Sequence, residues 1–141
     1  QFILAEAVVR GWINGNATSF YREGIQAALA FTAVPQARID AYLGQSALQQ
    51  LTPSAEIKEI ITQKYIASFM LPGWGAFYEQ RRTGFPTFDV SGGAVLNNGK
   101  VPKRWMYPAE ELQNNQVNVT DAIGRQYPAG DNINGEMWLI K

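Results

Sequence analysis

The residue types that most often carry chemistry in proteins are scarce in this sequence. The chain has 141 residues and contains neither cysteine nor histidine. Disulfides, thiolate or imidazole metal ligands, cysteine nucleophiles and catalytic triads with a histidine base are therefore excluded within it. Lysine plus arginine and aspartate plus glutamate number 12 each, so the net charge gives no sign of nucleic-acid binding.

An aromatic group beside two glycines is the best candidate for ligand binding. Trp74 stands between the glycines, and Phe77 and Tyr78 follow it. Aromatic faces stack on sugar rings, because the axial C–H groups of a sugar form an apolar patch. We predict that Trp74 and Tyr78 bind ligand and that Trp74 is partly exposed; the alternative is that these rings pack in the core. Trp12, by contrast, is predicted to be a core residue whose truncation costs about 3–5 kcal/mol.

The densest charge cluster follows directly, with Glu79, Arg81 and Arg82. One interpretation is a ligand clamp, since the guanidinium fork matches carboxylates and sugar hydroxyls. The other is structural: the arginines pair with acids and cap helix carbonyls where a helix meets a loop. We favour the structural interpretation and expect that replacing either arginine by alanine lowers the melting temperature.

Two further clusters and the scattered acids raise the possibilities of nucleic-acid binding, metal binding and catalysis. Arg104, Trp105 and Tyr107 interleave basic and aromatic residues, as single-strand binders do, but one short cluster in a neutral chain is weak support. Segment 131–136 alternates oxygen-bearing side chains but lacks the rest of an EF-hand loop. A glycosidase needs two facing carboxylates, which the scattered acids do not indicate. We predict no enzymatic activity, no cofactor, no metal site and no nucleic-acid partner.

The hydrophobic pattern predicts a mostly α-helical chain. Helices are expected over 2–12, 17–34, 36–43 and 53–70, the last capped by Thr52 and ended by Pro72, with shorter ones over 76–82, 108–113 and 118–125 and an extended piece over 137–140. Glycine and proline become frequent after Leu71. We therefore predict a helical segment, 1–71, and a loop-rich C-terminal segment, 72–141, packed on it within one domain.

The first two predicted helices resemble one tetratricopeptide-like unit. Small residues such as Ala5 and Gly11 let two helices approach, and Tyr21 fills the wedge between them. An ordinary helix hairpin is the alternative. A single repeat-like unit needs stacked neighbours to bury its apolar surface. The chain also opens without methionine, in a pattern typical of a helix interior, so we expect a fragment of a longer protein. Since only one repeat-like unit is visible, we also expect part of its apolar surface to be left uncovered.

Four groups of motifs follow one another along the chain. They are Leu4–Trp12 with Tyr21 and Gly24-Ile25; Ile61–Phe69; Glu79–Pro86; and Val101–Arg104 with Tyr107-Pro108, Glu111, Asn115, Asn118 and Ala122. Together they resemble the C-terminal part of the SusD/RagB family, the surface nutrient-binding lipoproteins of Bacteroidetes. Arg-Arg-Thr-Gly followed by Tyr-Pro-x-x-Glu-x-x-x-Asn is the most specific combination. By this resemblance the structural motif residues are Glu79, Arg81, Arg82, Arg104, Tyr107, Glu111 and Asn115.

The resemblance implies tetratricopeptide-like helical repeats, binding without catalysis, and a location on the cell-surface side of the outer membrane. It also implies a lipid anchor at a missing N-terminus. Such proteins deliver glycans, or in some members peptides, to a TonB-dependent transporter. We therefore expect a nutrient-binding component of an uptake complex, whose partners are an oligosaccharide or peptide, the transporter and the missing N-terminal half. The alternative is a helical-repeat scaffold that binds only those two protein partners.

Overall fold

The computed structural model describes residues 1–71, 73–93 and 95–140 of the chain. Within these ranges it contains α-helices, three short 3-10 helices and no β-strand. The α-helices are α1 (Phe2–Val9), α2 (Ala17–Phe31), α3 (Gln36–Leu43), α4 (Glu56–Ala67), α5 (Gly75–Thr83), α6 (Ala109–Asn114) and α7 (Gln116–Gln126). The prediction of a mostly α fold is confirmed.

The chain divides into two compact units, Gln1–Pro86 and Thr87–Lys141. Residues 73–86, which the composition assigned to the loop-rich segment, belong to the first unit, where α5 packs against α4. The packing of a loop-rich segment on the helical one stays a prediction. The prediction of an extended segment over 137–140 is wrong. Trp138–Ile140 is a 3-10 helix, and the Ile140 N–H donates to the Met137 carbonyl at 3.0 Å.

The first unit contains α1 to α5, and α1 to α4 surround one apolar core. In it α1 lies against α2 and α4, and α2 also contacts α3. Gly24 permits the close approach of α1 and α2, since a Cβ there would lie 2.8 Å from the ring of Phe2. The Phe2 ring meets the Tyr21 ring edge to face, with 6.5 Å between centroids. The buried core residues are Ala5, Tyr21, Ile25, Ile39, Leu43, Leu48, Leu51 and Ile60.

The fourth helix is shorter than predicted at both ends. Thr52 does not cap it; instead its backbone N–H donates to Glu59 Oε2 at 3.0 Å, in the turn that precedes the helix. At the other end the Ser68 hydroxyl donates to the carbonyl of Tyr65 at 2.7 Å, just after the last helical residue. Pro72, the predicted terminator, lies outside the described residues.

The prediction that Trp12 belongs to the core is wrong. Its side chain is 69% exposed, because α1 ends at Val9 and Gly11 then turns the chain with a φ of +72°. The Arg10 guanidinium lies 5.4 Å from the centre of the indole. The inward face of α1 instead carries Ala5, whose side chain has no solvent exposure. Truncation of Trp12 therefore removes little buried surface, and the expected cost falls well below the core value.

The second unit is organised around one buried arginine. Arg104 is 7% exposed and forms an ion pair with Asp131. Its guanidinium lies 4.0 Å from the ring centre of Tyr127 and 5.6 Å from that of Tyr107. The backbone N–H of Tyr107 donates to the second Asp131 oxygen at 2.9 Å, and that of Arg104 donates to the Ile133 carbonyl at 3.1 Å. Charge pairing and ring contacts thus order a segment with little regular structure.

Candidate ligand-binding site

The start of α5 presents the two residues predicted to bind ligand. Trp74 precedes the first residue of the helix, and Gly73 before it has a φ of +124°, which glycine adopts without strain. Trp74 is 61% exposed and Tyr78, one helical turn later, is 50% exposed. The predicted exposure of Trp74 is confirmed, whereas its contact with a ligand stays a prediction.

Three rings form one cluster at this point, which we call the ring platform: Trp74, Phe77 and Tyr78. The Trp74 and Phe77 centroids lie 5.9 Å apart, and the Phe77 and Tyr78 centroids lie 5.7 Å apart, both edge to face. The Arg81 guanidinium lies 5.2 Å from the centre of the Phe77 ring and 6.0 Å from that of Tyr78. Edge-to-face packing and cation–π contact are both attractive and stabilise this arrangement of the rings. Phe77 contacts both exposed rings, and Arg81 contacts Phe77 and Tyr78.

A network of ion pairs anchors α5 to the rest of the unit. Arg82 donates two hydrogen bonds to Glu6, at 2.6 and 2.8 Å, and two to Glu79, both at 3.1 Å. Lys64 of α4 donates to Glu79 at 2.9 Å, and Arg10 donates to Glu6 at 2.7 Å. Three helices, α1, α4 and α5, thus meet through charged side chains. These contacts support the structural interpretation of Glu79 and Arg82.

The two acids of this network are held ionised. Hydrogen bonds from Arg82 lower the pKa of Glu6, outweighing the opposing effect of its burial. Burial also opposes ionisation of Glu79, yet hydrogen bonds from Arg82 and Lys64 bring its pKa below the ordinary value. The same two acids raise the pKa of Arg82. At neutral pH all these groups are charged, so the attraction between them is fully present.

Glu6, which was not predicted as a site residue, is the most deeply buried member of the network at 5% exposure. The signal that marks it is local: it is the first charged residue in an otherwise apolar opening helix. A lone acid on a buried face requires a partner, since an unpaired buried charge is very costly. The identity of that partner, Arg82, is not visible locally because the two residues are 76 positions apart.

Shallow grooves run between α4 and α5, next to the ring platform. One has a volume of about 330 Å³, and its lining residues are Ile61, Lys64, Tyr65, Ser68, Gly75, Ala76, Tyr78, Glu79 and Pro86. A second, of about 370 Å³, is lined by Tyr65, Ile66, Ser68, Phe69, Leu71, Gly73, Gly75 and Ala76. Both volumes lie within the range of small-molecule sites, roughly 300–1,000 Å³. The first of these is called the α4–α5 groove below.

The remaining motif residues lie in the second unit and form two separate groups. Arg104 and Tyr107 belong to the buried arginine cluster described above. Glu111 and Asn115 lie on and just after α6, where the Asn115 amide donates to Glu111 Oε2 at 3.4 Å. Asn118 in turn donates to Asn115 Oδ1 at 2.6 Å, which links the end of α6 to α7. These contacts favour the structural interpretation of the motif residues, which stays a prediction.

Acidic residues do not converge on a metal site in the part of the chain that the structure describes. No group of three or more histidine, cysteine, aspartate or glutamate side chains lies close enough to hold an ion there. Likewise, none of the described helices combines the length and the apolar character needed to cross a bilayer.

The chain belongs to the SusD-like family: residues 1–108 match the family model described as starch-binding and associating with the outer membrane. SusD-like proteins are binding proteins that associate with that membrane. The family assignment made from the motifs is confirmed.

Solved structures agree with this assignment. A SusD homologue from Bacteroides fragilis is 35% identical with a TM-score of 0.88, and the match covers 99% of this chain and 34% of that one. A second homologue from the same species is 42% identical with a TM-score of 0.76, covering 99% and 33%. A chitin-binding protein is 31% identical with a TM-score of 0.81, covering 99% and 31%. The chain thus spans about a third of the length of these relatives. No curated protein matches it.

Proposed function

We propose that this chain is part of a non-enzymatic glycan-binding protein and that Trp74 and Tyr78 bind the sugar. The observation that carries the proposal is the ring platform, where two rings are half or more exposed and supported by Phe77 and Arg81. A ring that is exposed yet fixed offers its face to a sugar with little loss of conformational entropy on binding. The family description as starch-binding and the similarity to a chitin-binding protein favour a glycan over a peptide.

The proposal includes a place in a nutrient uptake complex. The protein sits on the cell-surface side of the outer membrane, holds a lipid anchor at its N-terminus and passes its ligand to a TonB-dependent transporter. The support is the description of the family as associating with the outer membrane. In this arrangement Arg81 and Arg82, together with the motif residues of the second unit, maintain the fold and do not choose the ligand; Glu79 also maintains the fold through its ion pairs with Lys64 and Arg82.

Calorimetric titration with maltohexaose and with chitohexaose tests the ligand assignment. Trp74→Ala and Tyr78→Ala are each expected to weaken binding of the retained sugar at least about fivefold, which corresponds to about 1 kcal/mol of stacking. Trp12→Ala is the matched control, because Trp12 is similarly exposed in the same unit but lies outside the ring platform. Equal losses in all three variants, or none in the first two, would remove the ring platform from the binding site.

A second candidate function is a scaffold that binds only protein partners. It is favoured by apolar residues at the ends of α2 and α4, where Phe31, Phe69 and Met70 are each more than three-quarters exposed. Exposed apolar patches mark protein contacts. A scaffold retains neither sugar in the titration, and Phe69→Ser then weakens co-purification with the transporter, whereas Trp74→Ala does not.

A further inference from the structure

The α4–α5 groove adjoins the ring platform, because Tyr78 belongs to both. The lining of the groove also includes Tyr65 of α4 and Ser68, which follows the last residue of that helix. A ligand stacked on Tyr78 therefore lies beside the groove. When one sugar unit of a linear glycan stacks on the ring platform, this groove is the nearest place where the next sugar unit of the glycan can bind.

Small residues keep the groove open. Gly75 and Ala76 form its wall on α5, and Ser68 lies on the α4 side. A Cβ built at Gly75 would have no described heavy atom within 4 Å, which shows how much space the backbone leaves there. Larger side chains in these positions would occupy the space into which a ring can enter.

The lining of the groove has the mixed chemistry that a sugar requires. Ile61, Tyr65 and Pro86 supply apolar surface for a ring face. The Lys64–Glu79 ion pair supplies a charged donor and a charged acceptor, with side chains 31% and 23% exposed. Both groups can form charge-assisted hydrogen bonds with hydroxyls at the edge of the ring. Because these side chains are already fixed by their mutual contact, a hydroxyl meets a preformed pair.

We propose that the α4–α5 groove is a second sugar subsite, which holds the unit adjacent to the one stacked on Trp74 and Tyr78. This inference rests on the proposed glycan-binding function. It adds the class of ligand: a neutral linear oligosaccharide, bound by ring stacking on the platform and by the Lys64–Glu79 pair in the groove. A bulky side chain at position 76 would close the subsite to the ligand and would leave both stacking rings, Trp74 and Tyr78, in place.

The experiment compares Ala76→Leu with Ala109→Leu, titrated with maltotetraose and with chitotetraose. The leucine at position 76 fills the groove and is expected to weaken binding of the retained sugar about tenfold. Ala109 is exposed at the start of α6 and does not line the groove, so Ala109→Leu is expected to bind as the unchanged chain does. The change in tryptophan emission at saturating sugar should persist in both variants, because Trp74 still stacks on the ligand.

Each outcome decides the proposal. If Ala76→Leu binds the tetrasaccharide as tightly as the unchanged chain while Trp74→Ala does not, the subsite is refuted and the ring platform stands. If the unchanged chain retains neither sugar, the proposed function fails and the subsite fails with it. Should Ala76→Leu melt below the assay temperature, Ser68→Leu closes the same groove from the α4 side. A folded Ser68→Leu chain with unweakened binding overturns the proposal equally.

Discussion

Removal of Arg82 is the sharpest test of how the first unit holds its fifth helix. This helix, all of whose residues are described, contains no fully buried side chain, so apolar burial contributes little to its attachment. Arg82 instead joins α5 to α1 through Glu6, and it also fixes Glu79 on its own helix. Arg82→Ala should therefore loosen α5 and lower the stability of the chain.

The size of the effect follows from the burial of the two partners. Breaking a fully buried ion pair by removing one partner costs about 3–5 kcal/mol. The Arg82 side chain is 42% exposed, and Glu6 keeps a second partner in Arg10. Both facts reduce the penalty of leaving the Glu6 carboxylate buried. We expect a loss of about 2 kcal/mol, which for the first unit, Gln1–Pro86, corresponds to a fall in melting temperature of roughly 10 °C.

Thermal unfolding followed by circular dichroism measures this loss at neutral pH. Arg125→Ala is the matched control, because Arg125 also pairs with an acid, Asp121, but both side chains are about two-thirds exposed or more. An exposed pair of this kind contributes little, about 0.5 kcal/mol or less. If Arg82→Ala lowers the melting temperature no more than Arg125→Ala does, the anchoring role of the network is wrong.

Three further expectations follow from the structure. The pKa values of Glu6 and Glu79 lie below the ordinary 4.5. The stabilisation that these two carboxylates give is therefore present above pH 4.5 and is lost as the pH falls below that value. Between pH 7 and pH 3 the melting temperature should fall more steeply in the unchanged chain than in an Arg82→Ala chain. Gly24→Ala should cost about 1–3 kcal/mol because its Cβ meets a ring, whereas Gly124→Ala, in open space on a helix, should be neutral or stabilising in chemical unfolding. The exposed apolar helix ends should bind a hydrophobic dye or drive self-association in sedimentation, and a monodisperse, dye-negative chain would contradict this.

Local signals were enough to predict the helices and several of their ends. The third helix matches its predicted bounds, 36–43, because Pro35 and Gly44 limit it on either side and both effects act within the neighbouring residues. The Asn16 side chain accepts a hydrogen bond from the Ser19 N–H at 2.9 Å, a cap that requires only adjacent sequence. The glycines around Trp74 likewise predicted its exposure from local bulk alone.

The burial of individual side chains depended on partners that are distant along the chain. Trp12 was predicted to be buried at the end of an apolar helix, yet α1 ends at Val9 and the turn at Gly11 places the side chain on the surface. Glu6 is buried because Arg82 comes from a helix 76 residues later to meet it. Helix propensity and capping depend on residues a few positions apart and can be read from the sequence. The pairing of charges and the grooves between helices depend on how the helices pack, and these decide which surfaces a ligand can reach.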